Sequence, residues 1–372
     1  MKKISSAIFL AALLVFINCK NNAGDAAGKG NDDKDSVKTF YESIINLGNG
    51  FIDVFNAFSG LVADTFFKSD PKKSDVKTYF ESISNTLTAT KSKLDELVSA
   101  KKGEGDSGKA SVKSAVDEVR AWLEEMIKAA SDAAKVDNGG GGDKIGDVGA
   151  NNNKGAVADE NSVKGIAKGI KGIVDAAGKA FGGNALTGVA AAAGEDNADA
   201  GKLFAGQNGA VGAADAAAIA KAASAVTAVS GEQILKAIVD AAGGTAQAGV
   251  KADEAKNPIA AAIGTDADGA AFGNDMKKRN DRIAAAIVLR GVAKDGKFAV
   301  ANNANDSKAS VKSAVESAVQ KTFSALTGVV RKAVEAGLKK VAEVVKKQKS
   351  EPGKAAGDTA NQAGAAAGSS SS

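Results

Sequence analysis

Ten apolar residues near the end of the chain, Val311, Val315, Val319, Phe323, Leu326, Val330, Val334, Leu338, Val341 and Val345, follow one another at three- and four-residue intervals. A strand would scatter such a series over both of its faces, whereas a helix gathers it into one stripe. The spacing predicts a helix from Ser310 to about Lys349, approaching ~60 Å at 1.5 Å per residue. A helix of that length with one apolar face needs long neighbours to cover it.

The first third of the chain supplies them. Val37, Phe40, Tyr41, Ile44, Phe51, Phe55, Phe58 and Val62 recur at helical intervals from Ser36 onward, with Asp35 or Ser36 placed to cap and a bend expected at Gly48 and Gly50. Asp70 and Pro71 mark a boundary, with Pro71 expected in the first turn of the next helix. That helix carries Val76, Tyr79, Phe80, Ile83, Leu87, Leu94, Leu97 and Val98, and a third carries Val112, Val116, Val119, Leu123, Met126, Ile127 and Ala130. Trp122, the only tryptophan, is expected to be buried, because large rings dominate the burial of the cores they join. Two helix starts are near copies, residues 35–44 and 74–83, as are 110–116 and 309–315. Duplication and shared helix-start chemistry both account for them, and no fixed repeat period follows.

Between these long stripes the chemistry of the core changes. Asn138 to Glu160, with four glycines at Gly139 to Gly142 and three asparagines at Asn151 to Asn153, reads as a loop or linker. From Ser162 to Val250 alanine and glycine dominate, and the aliphatics at helical spacing are isolated: Val163, Ile166, Ile170, Ile173 and Val174, then Ile234, Leu235, Ile238 and Val239. Aromatic residues make up only 5% of the chain. The expectation is a set of short helices that pack by close backbone approach, as small residues allow. Asn257 and Pro258 open a further short helix over Ile259 to Ile263, and Ile283, Ile287 and Leu289 form an apolar patch within Met276 to Val300.

Reactive chemistry is excluded by the alphabet itself. The chain has no histidine and one cysteine, so neither a Ser-His-Asp triad nor a zinc finger can be assembled, and no disulfide can form within it. Scattered Asp and Glu offer no acid–base pair, and an enzyme is not expected. Asp266-Ala-Asp268-Gly269 brings carboxylates together, but its glycine comes too early for an EF-hand loop. Gly291-Val-Ala-Lys-Asp-Gly296-Lys297-Phe298 has the glycine and lysine spacing of a phosphate-binding loop. Phe298 stands where the hydroxyl is required and no strand precedes, so no nucleotide, metal or other cofactor is expected. Charges of both signs interleave to a net +4, without the basic face of a nucleic-acid binder. Lysines 339, 340, 346, 347 and 349 gather where the last helix ends, placed either for the helix dipole or for anionic lipid headgroups.

The N-terminus has the layout of an export signal: Met1, Lys2 and Lys3, then an apolar run from Ile4 to Ile17 too short to span a bilayer, then Asn18 and Cys19. Cys19, followed by polar Lys20, Asn21 and Asn22, resembles a bacterial lipobox, in the relaxed form spirochaetal lipoboxes take because Phe16, Ile17 and Asn18 replace the usual small residues. The alternative is a secreted chain whose signal ends near a free cysteine. Residues 20–34 hold no apolar side chain larger than alanine and read as a flexible tether, and the Gly/Ala/Ser tail after Pro352 reads as unstructured.

Met276 to Val300 (MKKRNDRIAAAIVLRGVAKDGKFAV), together with Val163 to Gly178 and Ser230 to Asp240, resembles the variable large proteins of relapsing-fever spirochaetes, relatives of the Lyme spirochaete's antigen-varying surface lipoprotein. The resemblance covers nearly the whole mature chain. It implies an all-α fold, an elongated helical bundle with long N- and C-terminal helices and a Gly/Ala-rich, loop-rich distal region. It also implies a lipoprotein anchored in the outer membrane through Cys19, with the terminal helices near the membrane and the loops facing host antibodies. The expected organisation is a signal peptide over 1–18, a lipidated tether over 19–35, a helical surface-antigen domain over 36–349 with its loop at 138–160, and a tail over 350–372. The implied role is serotype-determining antigenic variation; the alternative is an adhesin or a binder of a host factor. Self-association and a host ligand are left open.

Overall fold

The computed structural model describes residues 56–58, 60–99, 106–139, 143–149, 154–206, 211–244 and 248–350. The expected signal, Cys19, the tether, the stripe from Val37 to Phe55 with its bend, and the tail beyond Ser350 lie outside them. After a helical stretch over 60–66 come α1 (Ser74–Ser99), α2 (Asp106–Ala134), α3 (Glu160–Lys179), α4 (Ala216–Thr227), α5 (Gly231–Gly243), α6 (Pro258–Ile263), α7 (Asn280–Val292) and α8 (Lys308–Ser350). Three 3₁₀ turns, Ala198–Phe204, Ala252–Glu254 and Asn302–Ser307, lie between them. Among the described residues strand pairing is confined to isolated bridges, so the fold is all-α.

The long stripes build a stem. α1 and α2 run antiparallel, Ser84 beside Ser131 (2.8 Å), Lys91 beside Glu124 (2.8 Å) and Asp95 beside Arg120 (2.9 Å). α8 lies against both, and its 43 residues extend ~65 Å. Where α8 meets α1, rings fill the space: Phe323 is 4.7 Å from Phe66 and 4.7 Å from Tyr79, the latter edge-on. The buried Tyr79 hydroxyl donates to Phe323 O or Thr327 Oγ1, at 3.1 and 2.8 Å, so the ring is buried without an orphaned polar group. Trp122 is buried as expected, against Gly337: a Cβ at 337 would stand 2.5 Å from Trp122 Cζ2. The terminal lysines include Lys340, paired with Glu118 of α2, and Lys339, 3.9 Å from Glu343.

The boundary before α1 differs from the expectation that Pro71 sits in a helical turn. Asp70 adopts a left-handed backbone (φ 54°), and Pro71 O accepts from Ile145 N at 2.8 Å. Pro71 is thereby spent on pairing with the segment between α2 and α3, and α1 begins three residues later. Asp75 closes the helix start by accepting from Lys72 N at 2.6 Å.

The small-residue region does pack by close approach. α3 runs antiparallel to α2, with its glycines facing alanines and a valine: a Cβ at Gly165 would stand 2.6 Å from Val136 Cγ2, at Gly169 2.3 Å from Ala133 Cβ, and at Gly172 2.8 Å from Ala129 Cβ. Local signals set the short helices. Asp159 accepts from Ser162 N (2.7 Å) and Asp215 from Ala218 N (2.8 Å); Ser230 and Gln233 form a capping box, and Asn257 caps α6 ahead of Pro258.

The α2–α3 contact predicts that Gly169→Leu lowers the unfolding free energy by roughly 1–3 kcal/mol. Gly183→Ala, where nothing stands within 4 Å of the new methyl, changes it by less than ~0.5 kcal/mol. Urea denaturation of both variants checks this; equal effects would mean that α2 and α3 do not meet through their small residues.

Candidate functional site

The segment on which the resemblance rests occupies the middle of the molecule. Every residue of α7 except Arg282 is buried, because α3, α4, α5, α6 and α8 all pack against it. Ala284, Ala285 and Ala286 make that enclosure feasible: a helix clad in small side chains can be surrounded without gaps. The expected patch of Ile283, Ile287 and Leu289 is thus one side of a helix buried all round. At its end Gly291 lies against α8, where a Cβ would stand 2.5 Å from Val315 Cγ1.

Beyond α7 the chain makes a sharp turn and runs back over the short helices. Asp295 takes a left-handed backbone (φ 61°), and Phe298 is fully buried with its ring 5.8 Å from that of Phe204. Main-chain bonds stitch residues 297–301 to four other segments: Lys297 with Ala156 in both directions (3.1 and 3.2 Å), Phe298 N to Asp147 O (2.9 Å), Ala299 N to Leu203 O (2.9 Å) and Ala301 N to Ala214 O (2.8 Å). The near-match to a phosphate loop is therefore a structural turn, its glycine and lysine backbone committed to neighbours. Two parts of the expected linker, 143–149 and 154–159, are held in the same layer. Ile145 is fully buried, and a Cβ at Gly155 would strike Ala205 O at 2.3 Å. Residues 140–142 and 150–153 lie outside the described residues.

Two buried cations that sequence reasoning missed hold this layer. Arg290 is wholly buried; its Nη2 donates to Ala156 O (2.5 Å), its Nη1 to Ala262 O (3.2 Å) and its Nε to Lys297 O (3.0 Å), with the Phe204 ring 5.4 Å away. Burial draws its pKa well down from the usual guanidinium range to about 9, which leaves it charged at neutral pH. Lys73, at the start of α1, donates from Nζ to Ala293 O (2.7 Å) and Gly296 O (2.6 Å). Burial lowers its pKa to about 8, opposed by the nearby Asp143 and Asp147 carboxylates and aided by Arg290 and Lys297. In the sequence each looks like a solvated charge, and only the lack of a polar face around Arg290 hinted otherwise.

The described surface offers no assembled reactive group. Asp266 and Asp268 are exposed, and among the described residues no three metal-binding side chains cluster. A groove of about 420 Å³ between residues 57–68 and α1 is lined by Thr65, Thr78, Ser82, Asn85 and Thr86. Two of those hydroxyls are spent on carbonyls one turn back, Thr65 on Leu61 O and Thr86 on Ser82 O. Cys19 lies outside the described residues.

Comparison with known proteins identifies this architecture. The family described as Borrelia lipoprotein matches residues 51–345. Variable large protein 4 of Borrelia hermsii is 36% identical over 94% of the chain and 95% of its own length, and variable large protein 17 is 36% identical over 88% and 87%. The crystal structure of the Lyme disease variable surface antigen VlsE of Borrelia burgdorferi superposes with a TM-score of 0.70 at 51% identity, covering 82% of this chain and 98% of that one. The chain belongs to the Borrelia lipoprotein family. Membership carries the role of a surface antigen of antigenic variation and matches the expected all-α fold. In this member of the Borrelia lipoprotein family, then, the most recognisable segment is an internal support.

Two predictions follow from that placement. Ile287→Asp buries an unpaired charge and costs several kcal/mol, whereas Lys297→Ala, which leaves the bonded backbone intact, costs less than ~0.5 kcal/mol, both measured by chemical denaturation. For Lys73, a folded pKa below the unfolded value means that stability is lost as pH falls toward 8 and is regained as it rises to 10.5. The chain should gain roughly 3 kcal/mol over its Lys73→Met variant between pH 7 and 10.5. A relative loss over that range would show that Lys73 does not sit buried as a cation.

Proposed function

We propose that this variable surface antigen is held at the outer membrane by lipid on Cys19 and presents its short-helix region to host antibodies. Switching the expressed copy then evades antibody, because the loops it displays differ while the frame beneath them does not. The observation that carries this reading is the polarity of the stem. The segment over 57–68 passes along α1 from the level of Thr86 to that of Asp75, where Lys68 and Asp75 pair at 2.8 Å. It therefore arrives from the end at which α8 finishes. The turn at 293–300 and the layer bonded to it sit toward the other end, at the start of α8. One end suits attachment and the other display.

The N-terminal sequence supplies the chemistry: a short apolar run ending at the only cysteine, followed by polar residues. A lipobox cysteine receives two or three acyl chains, enough for lasting attachment where one chain is marginal. The Gly/Asn/Asp tether that follows would let the stem stand clear of the headgroups. Exposed connections can change sequence at little cost to packing, which is the property an antigen surface requires.

Cys19→Ala should move the protein from the detergent phase to the aqueous phase in a partition experiment and abolish its labelling by radioactive palmitate. Unchanged partition would refute attachment through this residue.

A further inference from the structure

We propose that Arg290 positions the antibody-facing surface: one buried guanidinium sets four chain segments, three of which lie within five residues of exposed sequence. Ala156 follows exposed Lys154; Ala262 lies in the last turn of α6 ahead of exposed Asp266; Lys297 leads toward exposed Asn302; and Ala205, whose carbonyl is 3.5 Å from Nη2, precedes the contact between Gly206 N and Ala267 O. The segments are far apart in sequence and share no helix. What they share is a carbonyl aimed at the same cation.

The chemistry suits that task. A guanidinium has five donors in a fixed planar fork, so it can hold several carbonyls at set angles, which an ammonium with three rotating donors cannot. No carboxylate competes for it among the described residues, and its charge is balanced by peptide dipoles and the face of Phe204. If the fork is lost, the Ala156 and Lys297 carbonyls keep only their bonds to each other's amides and the Ala262 and Ala205 carbonyls lose their guanidinium donor, so the segments should loosen as a group. Lys73 holds the same turn from the stem side, through Ala293 O and Gly296 O, which keeps the release from spreading into α1.

The inference rests on the surface-antigen reading for its consequence and on geometry alone for its mechanism. Hydrogen exchange with mass spectrometry on the full mature chain tests it, comparing the wild type with Arg290→Lys and with Phe204→Leu, which keeps the guanidinium but removes its ring. The reporters are the bonded amides of Ala156, Ala158, Gly206, Gly269 and Ala299. In Arg290→Lys they should all exchange at least tenfold faster while α1 and α2 keep their protection, and Phe204→Leu should show a smaller change of the same pattern. Unaltered exchange, a change limited to residues 290–298, or uniform acceleration through the stem would overturn the proposal. Antisera raised against the folded protein and applied to intact cells separate the two claims. Grouped loosening with no antibody bound at these loops refutes the surface reading and leaves the role of Arg290 standing, whereas antibody binding without grouped loosening does the reverse.

Discussion

A positive charge sealed inside a protein without a carboxylate costs several kcal/mol unless its donors are met, and the layer around the turn at 293–300 is arranged so that the Arg290 donors are met. The carbonyls that meet them come from the ends of short elements and from turns, and those of Ala156 and Lys297 take the guanidinium as a second donor beside each other's amide. The two deficits cancel. Arg290 lacks an acceptor side chain, the loops around it lack a regular ladder, and the fork joins them. The layer that carries residues 143–149, 154–159, 205–206, 262–264 and 293–301 is irregular in secondary structure yet has defined positions, because its bonds converge on α7 and the turn after it.

That convergence depends on how closely helices can approach. α7 is buried at every residue but Arg282 because its middle is Ala284, Ala285 and Ala286, and α3 lies against α2 because glycine faces alanine at successive turns. The stem follows the opposite principle. There Phe66, Tyr79, Phe80 and Phe323 separate and join helices through rings, which bury far more area per residue. A chain with 5% aromatic residues has rings for this cluster and for a smaller one of Phe204, Phe272 and Phe298, and relies on small residues elsewhere.

The long helices were legible in the sequence because each has one dry face and one wet face, and that asymmetry prints itself as a period. α8 is expected from Ser310 to Lys349 and found as Lys308–Ser350. Where the asymmetry vanishes, the period misleads. α7 carries Ile283, Ile287, Val288, Leu289 and Val292, but its alanines are as buried as they are, and nothing in an alanine announces which way it faces. Arg290 and Lys73 were invisible for a related reason: a charged residue is ordinarily solvated, and the carbonyls that make burial tolerable belong to residues 7 to 223 positions away, most of them on other elements. The expected linker shows the third kind of blindness. Its attachments to Pro71, Phe298 and Lys297 are main-chain bonds, which leave no trace in side-chain identity.

These facts bear on how a variable antigen keeps one fold. A surface loop fixed by its own side chains would lose its position whenever those side chains changed. Loops fixed by main-chain carbonyls, bound to a cation and a turn beneath them, keep their anchoring groups through any substitution that leaves the backbone intact. Variation is then limited chiefly at positions where a side chain would strike the backbone, as at Gly155 against Ala205 O or Gly201 against Ala270 O (2.5 Å). Glycine is thus required beneath the surface, where segments cross, while side chains on the outside are released from structural duty. A protein whose task is to be recognised differently each time has placed its fixed contacts in the part of the chain that every sequence shares, the peptide bond.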